Sequence, residues 1–147
     1  MDFEDTLIWK KAALIGRLVY ELLPLLPPEE RFGLRSQLSR AVISVSSNIA
    51  EGWARETQRD RNYFMVIAQG SLAEVRSQLK LCIVIKLLSP DQIRVVMDEI
   101  LQLARMLTSL RQKMRIGIIN ELLRDGRRLP HRYRHFVQKK PPPGQTQ

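Results

Sequence analysis

One cysteine, Cys82, stands in the 147 residues. A lone thiol makes no intrachain disulfide and cannot supply the sulfur ligands of a zinc finger, so both are excluded and a reducing cytoplasm is the expected setting. Long apolar runs are missing too. No uninterrupted stretch approaches the roughly 18 residues of a membrane span, and the opening MDFEDTLIWKK is acidic before it is apolar, the reverse of a secretory signal. A soluble protein without a membrane partner is expected. No segment shows the period-two alternation of strands. Ser-His-Asp, Cys-His, paired-carboxylate and glycine-rich phosphate-loop arrangements are absent at usable spacings, so the chain is read as a binding module and not an enzyme, with no cofactor.

What is present begins with charge. Lys and Arg number 24 against 15 Asp and Glu, a net charge of +9. The first 110 residues hold 14 basic and 13 acidic side chains, whereas the last 37 hold 10 basic and 2 acidic, so nearly all the excess belongs to the C-terminal segment. A surplus spread evenly would be a solubility device; a block of one sign is commonly an interaction tail, and a polyanion is the partner to suspect. The length suits one domain that buries about two-thirds of its unfolded surface.

Helical spacing recurs four times, which predicts an all-α antiparallel up-down-up-down four-helix bundle. The first helix is expected from Asp5 to Leu26, unsettled by Pro24 and stopped by Pro27 and Pro28. The second begins between Glu29 and Leu34 and ends at Gly52, a C-cap candidate; its many serines permit close approach of a neighbour. Thr57 with Asp60 opens the third, expected from Gln58 to Leu88. Ser89-Pro90-Asp91-Gln92 combines an N-cap, an N1 proline and an N3 Gln before a fourth helix that runs to Leu123, where Asp125-Gly126 stops it. The bundle is thus placed at 1–123 and a basic tail, partly disordered, at 124–147, with Pro141 to Gln147 as its loose end.

FGLRSQLSRAVISVSSNIAEG from Phe32, YFMVIAQGSLAEV from Tyr63 and the opening FEDTLIWKKA together resemble the four-helix-bundle proteins first met as products of intervening sequences in bacterial 23S ribosomal RNA genes. The resemblance covers about residues 3 to 110 and leaves the tail outside. It implies a bundle assembled as a homopentameric barrel; five copies at +9 would carry +45. One branch of that family comprises the accessory variability determinants of diversity-generating retroelements, basic pentamers that bind nucleic acid and a partner reverse transcriptase. Other members have no settled role, so a pentameric scaffold that recruits a protein is the alternative implied.

The nucleic-acid-binding residues expected from the sequence are Arg111, Lys113 and Arg115 at the close of the fourth helix, then Arg124, Arg127, Arg128, Arg132, Tyr133, Arg134, Phe136, Lys139 and Lys140. Guanidinium groups fork onto phosphate and stack on bases, and aromatic rings stack bases as well, so the mixture suits single-stranded or structured RNA better than a bare lysine run would. The bland reading is a solvated solubility tail. Arg40 and Glu74 are expected to form a buried bridge between the second and third helices, with Gln37, Asn48 and Ser71 completing its hydrogen bonds. Asn48 and Glu51 share a helix face and are read as tethers of the following connection. His131 and His135 have metal-like spacing, but flanking arginines repel a cation, so no metal is expected.

Overall fold

The computed structural model describes residues 2–137. Four long helices, α1 (Leu7–Leu22), α2 (Leu34–Trp53), α3 (Gln58–Val84) and α4 (Pro90–Arg124), precede a short α5 (His131–Val137). Consecutive long helices pack on each other and α1 closes the ring against α4, giving the up-down-up-down bundle. The core is aliphatic. On α1 it takes Ile8, Ala12, Ile15, Val19 and Leu22, a three-and-four stripe that keeps one face toward its neighbours. No helix among the described residues is long and apolar enough to cross a membrane.

The start signals act as read. Thr57 accepts a hydrogen bond from the Asp60 N–H at 3.1 Å, and Ser89 with Gln92 forms a full capping box. The ends depart from expectation. Helix α1 stops at Leu22 and a 3₁₀ turn, Leu23–Leu25, carries Pro24. Helix α3 stops at Val84 instead of Leu88, because Lys86 turns left-handed at φ 64° and the Leu87 N–H reaches back to the Cys82 carbonyl at 2.8 Å. Leu88 is thereby folded into the core. No glycine marks this stop, so the apolar run read straight through it.

Gly52 is not a C-cap. The helix runs on to Trp53, and a Cβ at Gly52 would lie 2.7 Å from Met65 Cε and 2.9 Å from Phe64 Cβ. Its missing side chain is what lets α2 and α3 approach closely before they separate at the 54–57 connection.

Candidate nucleic-acid interface

Helix α4 is the longest element, and its Gly117 lies against Gln58, the first turn of α3. The residues beyond therefore project past the bundle. A second, smaller apolar cluster forms there, in which Ile118 and Ile119 meet Tyr133 of α5, with Leu122 and Leu129 packed around them. Gly126, at φ 66°, makes the reversal possible: its N–H donates to Leu123 O and the Arg127 N–H to Leu122 O, satisfying carbonyls that the end of α4 would leave bare. Within the basic tail the chain is thus helical from His131 to Val137 and docked on α4. Leu129 and Tyr133 are its apolar anchors.

This docking sorts the expected contact residues. Arg124, Arg128, Arg132 and Arg134 are exposed at the projecting end, Arg132 with its guanidinium 5.2 Å from the Tyr133 ring centroid and Arg134 donating to Leu129 O at 3.3 Å. Arg127 pairs with Asp125 at 2.5 Å. Lys113 is exposed on α4, and Arg115 lies 5.5 Å from the Phe136 ring centroid, which also stands 4.1 Å from His135. Tyr133 is corrected: only 7% exposed, it is chiefly a packing residue on Ile118 and Ile119 and not an exposed stacking platform. Arg111 is corrected as well. It is half-buried against α3, donating to Gln69 Oε1 and to Asn62 Oδ1, and burial followed by the Arg115 charge pulls its pKa below the ordinary arginine value. Lys139 and Lys140, with the end from Pro141, lie outside the described residues.

His131 and His135 do sit one turn apart on α5, but no group of three His, Cys, Asp or Glu assembles a metal site among the described residues. The predicted Arg40–Glu74 bridge is absent: both side chains are exposed and no ion pair joins them. Ser71 instead meets Ser44 at 2.8 Å, and Asn48 donates to the Ser44 carbonyl and hydroxyl at 2.8 and 3.0 Å, so Asn48 belongs to that contact and not to the connection. Glu51 pairs with Arg55, whose guanidinium lies 4.7 Å from the Phe64 ring centroid and whose carbonyl accepts from Arg61 at 2.6 Å.

Comparison with known proteins separates the bundle from its basic end. The family model described as 23S rRNA-intervening sequence protein matches residues 4–109. The chain belongs to that family. The intervening-sequence portion therefore comprises α1 to α3 and the first half of α4, while the projecting end lies outside it. A crystal structure of a protein of unknown function from the S23 ribosomal protein family of Bacteroides thetaiotaomicron VPI-5482 shares the fold of this intervening-sequence protein. Its TM-score is 0.67 at 19% identity, with 71% of this chain and 98% of that chain covered. No curated protein matches.

Proposed function

We propose that this intervening-sequence protein is a non-enzymatic binder of RNA or RNA/DNA and that its basic end is the binding surface. The observation that carries this reading is the distribution of charge. Ten basic residues against two acidic ones follow Leu110; among the exposed ones Lys113 and Arg124 stand on α4, Arg132 and Arg134 on the docked α5, and Arg127 and Arg128 on the short connection held between these two helices. Guanidinium groups held in place meet phosphates at lower entropic cost than groups on a loose tail. The protein serves, on this reading, as accessory to a reverse transcriptase in a diversity-generating retroelement, holding the template or its hybrid.

Self-association belongs to the same reading. Tyr63, Val66, Leu81 and Val84 are exposed along one side of α3, with Gly70, Ala73 and Ser77 between them. Small residues flanked by large apolar ones suit a second copy of the chain, and a homo-oligomer such as a pentamer would multiply weak phosphate contacts by avidity. The alternative, a scaffold that recruits a protein with nucleic-acid affinity incidental, draws on the same exposed stripe.

The test is fluorescence anisotropy of a 20-nucleotide single-stranded RNA across a salt series. Replacing Arg124, Arg128 and Arg132 together by Gln should lower affinity and flatten the slope of log K against log salt by about 2, at about 0.7 for each phosphate no longer neutralised. An unchanged slope overturns the interface. Recovery of the reverse transcriptase with the tagged protein before, but not after, nuclease treatment separates the accessory role from the scaffold.

A further inference from the structure

The 54–57 connection and the turn between α4 and α5 are remote in sequence but adjacent in space, and between them lies a cavity of about 350 Å³. Its charged wall is assembled from separate segments: Arg59 from the first turn of α3, Arg124 from the last turn of α4 and Arg132 from α5, with Arg127 between the latter two. Asp125 also lines it, and its carboxylate is engaged by Arg127. Arg59, Arg124 and Arg132 therefore face the cavity region with no ion-pair partner among the described residues. Four guanidinium groups against the carboxylates of Asp125 and Glu121 leave the lining with a net positive charge that favours an anion, and guanidinium forks match phosphate.

The rest of the lining has a different character. Ile118, Leu122, Pro130 and Tyr133 make it apolar, and Glu121 adds a carboxylate without an ion-pair partner among the described residues. A bare phosphate would use neither feature. A nucleotide would use both, laying its base on the apolar wall and donating a ribose hydroxyl or exocyclic amino hydrogen to Glu121. The volume lies at the small end of the roughly 300–1,000 Å³ typical of ligand sites, room for one such unit and not for a longer segment.

We propose that this cavity is a single-nucleotide site, with the phosphate held by Arg59, Arg124 and Arg132 and the nucleoside lying between the apolar wall and Glu121. The proposal rests on the reading of the basic end as a nucleic-acid interface only for the origin of the nucleotide, a base turned out of the bound strand; the chemistry of the cavity stands apart from it. It adds to a surface of general phosphate affinity a place where a base is enclosed, so the protein should favour single strands, whose bases are free to turn out, over duplexes.

Isothermal titration of the full-length protein at low salt tests it with the four nucleoside 5′-monophosphates, the four nucleosides and inorganic phosphate as separate probes. At least one monophosphate should bind tenfold or more tightly than its nucleoside and than inorganic phosphate. Arg59→Ala, which alters an exposed side chain outside the basic segment, should weaken that binding at least tenfold while thermal unfolding confirms an intact fold, and Arg124→Ala should do the same. Phosphate binding as tightly as every monophosphate, or indifference of the monophosphate to both substitutions, overturns the site. The 20-nucleotide RNA run in parallel separates the two readings: RNA binding without monophosphate binding sinks the cavity and leaves the interface, whereas monophosphate binding without RNA binding sinks the interface and leaves the cavity.

Discussion

The hydroxyls of Ser44 and Ser71 lie 2.8 Å apart across the interface of α2 and α3. Backbone positions reflected about the connection place Arg40 opposite Ser71, one turn away from where Ser71 is met. Side chains lean toward the N-terminus of their own helix, so on antiparallel neighbours they meet about two positions beyond the backbone register, which is toward Ser44 but only half of the four positions observed. Arg40 and Glu74 remain at the surface.

Ser71→Ala should therefore cost about 1 kcal/mol, because the partly buried Ser44 hydroxyl loses its partner across the helix interface and Asn48 is left to share it. Arg40→Ala should stay within about 0.5 kcal/mol of the parent, as exposed substitutions without partners do. Urea unfolding of both variants checks the pair; a larger loss for Arg40→Ala would restore the bridge.

Tyr133 acts through packing, so its apolar replacement should preserve binding. Tyr133→Leu keeps the contact with Ile118 and Ile119 and should leave RNA affinity within about twofold, whereas Tyr133→Ala should release α5 and weaken binding, with a core loss of about 3 kcal/mol confined to the small cluster. Anisotropy titration measures both. A loss of binding in Tyr133→Leu equal to that in the alanine variant would identify the ring itself as a base contact.

Arg111 should divide from its neighbours on the same assay. With its guanidinium committed to Gln69 and Asn62, Arg111→Ala is expected to lower stability by about 1–2 kcal/mol and to change the salt slope of RNA binding by less than one phosphate's worth. A slope reduced as much as by removal of Arg128 would return it to the interface.

Cys82 supplies a pH signature. Burial pushes its thiol up, and the Glu30 charge adds to that, so the folded state holds the proton where the unfolded chain releases it. The unfolded state binds fewer protons above its own thiol pKa of about 8.5, so the thiol's contribution is fully present below that pH and is lost as pH rises toward the folded value. Unfolding free energy measured from pH 8 to 9.5 should decline in the parent and decline less in Cys82→Ala, which is less stable at every pH because it leaves a core cavity. Identical slopes would show that the thiol makes no such contribution.

Local chemistry was legible in the chain. Thr57 and Ser89 name their helix starts, Gly126 names the stop of α4, and the three-and-four stripes name the bundle, because each of these signals acts through hydrogen bonds and periodicity spanning only a few residues. The charge imbalance after Leu110 was equally plain, since counting needs no coordinates. Where a signal had to cross the fold, sequence reading went astray: Lys86 stops α3 without a glycine, and Gly52 is small for the sake of Met65 and Phe64 rather than for a cap.

Arg59 is the clearest case of a residue sequence could not place. Nothing near it in the chain points to the basic end, and only the antiparallel return of α3 beside the overhang of α4 brings it to Arg124 and Arg132. Composition and periodicity by themselves determined an all-helical body with a cationic extremity. Which cations converge, which are pinned by packing and which ring is buried were decided by tertiary structure, because burial and proximity depend on the register between helices, and that register is set by side chains meeting across the interface.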